Sequence, residues 1–120
     1  MIRGVHTMFY TSEPEGLREF LRDKLGLKAN DIGGGWLIFD LPEADMGCHP
    51  ADDKWEEGAP SGTMDISFYC DDIQETVREL KAKGVEFEGE LDEQEWGFMT
   101  RFRVPGNFLI TLYQPKYRRS

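Results

Sequence analysis

Cysteine is scarce in this chain: Cys48 and Cys70 are the only two among 120 residues. Their spacing fits no metal motif, and two thiols build no disulfide framework, so each is expected to be a small buried hydrophobe. Long apolar runs are missing too. No stretch approaches the roughly 18 residues of a membrane span. The opening Met1-Ile2-Arg3-Gly4-Val5-His6 lacks a signal-peptide pattern. A membrane partner is excluded on this reading, and the expected location is the cytoplasm. Positive charge is the third shortage. Fourteen Lys and Arg against 23 Asp and Glu leave a formal charge of −9, which argues against nucleic acid, whose phosphates need a basic surface. The short tail Lys116-Tyr117-Arg118-Arg119 reads as a solvated end. An acidic field favours a cationic ligand, if it favours any. Histidine occurs only at His6 and His49, which restricts imidazole chemistry to two places.

What is present suffices for one folded domain. A hydrophobic content of 39%, with 12% aromatic residues, excludes disorder for most of a chain this long. The halves also repeat one another. His6-Thr7-Met8-Phe9-Tyr10 returns as Asp65-Ile66-Ser67-Phe68-Tyr69, and Leu17-Arg18-Glu19-Phe20 returns as Val77-Arg78-Glu79-Leu80. Phe39-Asp40-Leu41-Pro42 is echoed by Phe102-Arg103-Val104-Pro105. A period of about 60 residues in two copies is too long and too few for a solenoid. It fits a duplicated module, and a ligand site is expected where the halves meet.

Local patterns give each module the order β-α-β-β-β. In the first, a strand from Gly4 to Thr11 precedes a helix N-capped by Ser12, with Leu17, Phe20, Leu21 and Leu25 at helical spacing and Gly26 as its stop. Asn30-Asp31 and the triple glycine 33–35 read as turns before a strand from Trp36 to Leu41, and Asp45 to His49 as a short fourth strand. Residues 51–62 form a polar linker in which Trp55 is the one large apolar side chain. In the second module, Thr63 to Cys70 reads as a strand, and Asp71 or Asp72 caps a helix with the stripe Ile73, Val77 and Leu80 that ends at Gly84. Strands are expected at about 85–91, 98–104 and 108–113, the last two joined by Pro105-Gly106-Asn107. The fold class is therefore α+β, with module one at about 1–50 and module two at about 63–117, their curved mixed sheets paired round a shared cleft.

Strand alternation sorts the cavity candidates from the core. Val5, Thr7 and Phe9, with Ile66, Phe68 and Cys70, are expected under the helices. His6, Met8 and Tyr10, with Asp65, Ser67 and Tyr69, then share the opposite, concave face. Trp36 and Trp96 hold equivalent places in the modules, either as packing or as cavity walls. Arg101 and Arg103 share one face of their strand and would orient an anionic group if that face is the concave one. His49 alternates away from Met46 and Cys48, which fits a surface or linker role.

The run Met64-Asp65-Ile66-Ser67-Phe68-Tyr69-Cys70-Asp71-Asp72-Ile73 resembles the pattern His-Ile-x-Phe-x-Val-Asp-Asp-Leu of the vicinal oxygen chelate superfamily. Trp96-Gly97 followed by Phe102-Arg103-Val104-Pro105-Gly106-Asn107 resembles that family's late hairpin. The family includes glyoxalase I, extradiol dioxygenases, and fosfomycin- and bleomycin-resistance proteins, and the resemblance spans essentially the whole chain. It implies a divalent-metal site built from one His or Glu on each of four strands. Here those positions hold His6, Met46, Asp65 and Thr111. A thioether and a neutral hydroxyl are poor ligands for Mg²⁺, Mn²⁺ or Zn²⁺, so no cofactor is expected. The alternative is a set of His6, Cys48 and Asp65, since Cys48 shares a strand face with Met46.

These readings make a small-molecule binding protein the leading expectation. His6 and Asp65 would supply polar contacts or acid–base chemistry at the cleft. Tyr10, Tyr69, Met8, Ser67, Trp36, Trp96, Arg101 and Thr111 would contact an aromatic or cationic ligand. The runner-up is a lyase, isomerase or dioxygenase-like enzyme that uses His6; a regulatory or assembly subunit is the third reading. The resemblance also implies a homodimer, with Trp55 as a contact or lid.

Overall fold

A computed structural model describes residue 1 and residues 6–41, 43–44, 46–56 and 58–117. Gly4 and Val5 at the start of the expected first strand, Asp45 at the start of the fourth, and Arg118-Arg119 of the tail lie outside them. The chain is α+β, as its patterns indicated. Helix α1 (Pro14–Glu19) runs into a π-helical stretch (Phe20–Lys24) and is followed by a two-stranded antiparallel ribbon, β1 (Ala29–Asp31) with β2 (Leu37–Phe39). Then come β3 (Ser67–Tyr69), α2 (Ile73–Ala82), β4 (Phe87–Gln94), β5 (Gly97–Val104) and β6 (Phe108–Pro115). The last four strands form one mixed sheet in the order β3-β6-β5-β4, in which β3 runs parallel to β6 and the other pairs are antiparallel.

The second half follows its local signals, except that the strand expected from Thr63 to Cys70 is confined to Ser67–Tyr69, where β6 supplies a partner, and Asp65 lies before it. Asp72 caps α2 by accepting from the Glu75 amide at 3.1 Å, as its position before the apolar stripe indicated. The Gln114 side chain on β6 accepts from the Ile73 amide at 2.8 Å, so a second of the orphan N–H groups at the helix start is satisfied from the sheet. Gly84, at φ 86°, ends the helix in the left-handed region. In β4, the register with β5 shifts between Glu88 and Asp92, where Gly89 takes φ 77°.

The first half is organised differently from its local reading. Asn30 and Asp31, expected as turn, are paired to Ile38 and Leu37 in the ribbon, and the Asp31 carboxylate accepts from the Gly33 amide at 2.8 Å to fold the glycine turn. Residues 6–11 and 46–50 form no strand. A strand needs a neighbour to satisfy its amides, and none of the described residues supplies one to either segment. Ser12 is not the helix cap. Glu13 holds that position without a side-chain cap bond, while the Thr11 hydroxyl accepts from the Glu13 amide at 3.1 Å.

Both segments of α1 serve the second sheet. The Thr11 hydroxyl donates to the Pro105 carbonyl at 3.0 Å, and the Glu13 carboxylate accepts from the Gly106 amide at 2.9 Å. Gly106 has φ 99°, and a Cβ there would stand 2.0 Å from Thr11 Oγ1, so contact and backbone conformation both demand glycine. Leu17, Phe20 and Leu21 then enter one buried cluster with Phe102, Val104, Ile110 and Leu112 from the sheet and Ile73, Leu80 and Val85 from around α2. Phe20 stacks on Phe102 with ring centres 6.1 Å apart. The described residues thus share one buried cluster under the four-stranded sheet.

Candidate functional site

Because the core covers one face of the sheet, the register identifies what lies on the other. Along β5, Thr100, Phe102 and Val104 are buried toward the helices while Arg101 is exposed. Ser67, Thr111, Arg101 and Glu88 are successive cross-strand partners on β3, β6, β5 and β4. Residues directly opposite in a ladder point to the same side, so these four form a polar row on the open face. Two residues along, Tyr69, Tyr113, Met99 and Asp92 form a second row. Four of the expected ligand contacts, Ser67, Tyr69, Arg101 and Thr111, are therefore gathered on one surface.

The second row is an aromatic end. The Tyr113 ring lies 5.6 Å from that of Trp96, its hydroxyl donates to the Trp96 carbonyl at 3.0 Å, and Tyr117 stands 6.3 Å beyond it. The Tyr69 hydroxyl donates to the Glu43 carboxylate, which ties the segment after β2 to the rim of this face. Tyr113 and Met99 were not among the sequence candidates. Strand alternation puts Tyr113 on the same face as Thr111 and Met99 on the same face as Arg101, so the signal was present.

The first row carries charge. Arg103 is engaged, donating to Glu88 at 2.6 Å and to Asn107 at 2.9 Å. Arg101 forms no hydrogen bond or ion pair among the described residues, nor do His6 and Asp65. Both of the latter are exposed. Met8 and Tyr10 are exposed, Tyr10 at 90%. Trp36, on the ribbon side, receives Arg18 over its ring at 4.7 Å, so the two equivalent tryptophans have different surroundings. His49 is exposed and its Nδ1 lies 2.8 Å from the Pro50 carbonyl.

The cysteines divide. Cys70 is half-buried against the core, and burial pushes its thiol above the ordinary range, opposed by a hydrogen bond with Thr76 and reinforced by the nearby Asp71 and Asp72 charges. Cys48 is exposed, contrary to the expectation that it would be buried, because its segment joins no sheet and has no covered face. The four positions that the sequence resemblance would assign to a metal, His6, Met46, Asp65 and Thr111, offer one imidazole, one carboxylate, a thioether and a hydroxyl. Catalytic zinc takes three protein ligands of the N, O⁻ or S⁻ kind, and this set contains two. No three His, Cys, Asp or Glu side chains gather to hold a metal ion among the described residues.

Comparison with known proteins agrees with this architecture. The family model for the Glyoxalase/Bleomycin resistance protein/Dioxygenase superfamily matches residues 3–112. YetH, an uncharacterised protein of Bacillus subtilis strain 168, is 28% identical over 109 residues, 86% of this chain and 91% of its own. A lactoylglutathione lyase from Agrobacterium tumefaciens superposes with a TM-score of 0.62 at 17% identity, covering 90% of each chain. TnmS3, an antibiotic-binding protein from Streptomyces sp. CB03234, superposes at 0.61 with 20% identity, covering 97% of this chain and all of that one. At these identities the two structures attest the fold alone.

Proposed function

Given that the chain belongs to the glyoxalase/bleomycin resistance protein/dioxygenase superfamily, we propose that it is a small-molecule binding protein whose ancestral metal position is degenerate. The donor set carries this reading: Met46 and Thr111 stand where two of four metal ligands would be required. A binding protein needs no such ligands. The antibiotic-binding TnmS3 is a precedent for this fold in that role, and the Tyr69–Tyr113–Trp96 end of the open face is suited to stacking an aromatic ligand.

Homodimerisation belongs to the same proposal. Residues 6–11 and 46–50 lack strand partners, and Met8, Tyr10, Met46, Trp55, Met64 and Ile66 are exposed. A second copy would cover them and would bring a wall to the open face, with His6 and Asp65 as polar contacts inside it. No helix of the described residues is long and apolar enough to cross a membrane, and both cysteines are free, which suits a reducing cytoplasm.

Two measurements test the reading. Elemental analysis after purification without chelator is expected to find well under one transition-metal equivalent per chain. A thermal-shift screen across metabolites and antibiotics is expected to find stabilising ligands. Stoichiometric metal lost in His6→Ala would overturn the proposal and favour a metal-dependent lyase or dioxygenase-like enzyme.

A further inference from the structure

Building on that binding role, we infer that the ligand is an aromatic compound bearing a single anionic group, with Arg101 receiving the anion. Three observations converge. Arg101 lies on the open face, while its strand neighbour Arg103 is already held by Glu88 and Asn107. Arg101 has no such partner among the described residues. Its two neighbours in the cross-strand row are Thr111, a hydroxyl that can donate to an oxyanion, and Glu88, whose carboxylate already accepts from Arg103; the Ser67 hydroxyl lies one strand beyond Thr111. The next row, two residues along the strands and roughly 7 Å away, holds Tyr69, Tyr113 and Met99, with Asp92 at its far end on the edge strand and Trp96 against Tyr113.

Glu88, directly opposite Arg101, is paired with Arg103, and most of the chain's charge of −9 lies farther off. The molecule measures 42 × 38 × 32 Å, and at physiological ionic strength charges more than about 8 Å apart are largely screened. Within contact distance the guanidinium decides, because its planar fork donates two parallel hydrogen bonds to a carboxylate. The site thus selects a ring and an acid separated by a short tether.

The test is calorimetric titration with 3-phenylpropionate, its neutral amide 3-phenylpropionamide, the cation 3-phenylpropylamine, and propionate, which lacks the ring. The acid is expected to bind about tenfold or more tightly than the amide, since a hydrogen bond to a charged group is worth more than a neutral one. The amine and propionate should be weaker still. Arg101→Gln should abolish the preference for acid over amide while amide binding persists, and Arg101→Lys should restore part of it. Circular dichroism checks that each variant is folded. Equal binding of acid and amide, a preference for the amine, or an unchanged ratio in Arg101→Gln would overturn the anion assignment and leave the binding role standing. Failure of all four probes overturns the assignment as well. The binding role itself is removed by an inactive wider thermal-shift panel or by the metal result described above.

Discussion

The ring of Tyr113 occupies the space over Gly97: a Cβ added there would stand 2.5 Å from Tyr113 Cε1 and 2.5 Å from the Gln114 carbonyl oxygen. The glycine is therefore required by a neighbour rather than by its own backbone conformation, and the aromatic end of the open face depends on it.

Gly97→Ala is accordingly expected to destabilise the protein by about 1–3 kcal/mol, the range for overpacking a site that yields poorly. Urea denaturation should show a lower midpoint, and tryptophan fluorescence should change because Trp96 is displaced from Tyr113. A variant with wild-type stability and emission would mean that Tyr113 swings away freely.

Asp72→Ala should cost about 1 kcal/mol, as loss of an N-cap carboxylate usually does. The Gln114 contact to the Ile73 amide remains, so α2 is expected to persist with its first turn weakened. Urea denaturation should give an unchanged m-value, and hydrogen exchange should accelerate at residues 73–76 alone.

Thiol chemistry should separate the two cysteines. Exposed Cys48 is expected to react with a thiol reagent in the native state, and Cys70 only slowly, because burial disfavours its thiolate. Since the folded Cys70 pKa lies above its unfolded value, the unfolded state deprotonates first as pH rises. The stability from burying this neutral thiol is complete below the unfolded thiol pKa. It falls progressively as pH climbs from that value through the folded one. Cys70→Ala should flatten this alkaline decline; an unchanged pH profile would assign the decline to other groups.

The metal reading makes a constructive prediction. Asp65→His, Met46→Glu and Thr111→Glu together should create zinc or manganese affinity, with His6 as the fourth ligand. Competition against a chromogenic chelator measures it. The triple variant binding no more tightly than wild type would show that these positions do not converge, and the family correspondence for this site would be wrong.

Sedimentation velocity at micromolar concentration should show a dimer. Trp55→Ser and Met64→Ser together should shift it toward monomer, since both side chains are mostly exposed in the single chain, at 65% and 89%. A wild-type monomer at these concentrations would remove the second copy from the site.

The sequence by itself determined the family, the α+β class and nearly all of the second half. There the signals are local: Asp72 before an apolar stripe, Gly84 after it, alternation along β5 and β6, and a Pro-Gly-Asn turn between them. Alternation also made Ser67 and Tyr69 legible as one face, because a period of two is a property of the strand alone; that Arg101 and Thr111 share it was decided by the strand register. Tertiary structure decided the rest. That Thr11 and Glu13 anchor α1 to the Pro105–Gly106 turn, that residues 6–11 and 46–50 stay without strand partners, and that Glu88 occupies Arg103 but leaves Arg101 open are all matters of distant pairing. Such pairing depends on which amides and charges meet in space, and residue type and local period carry little record of it.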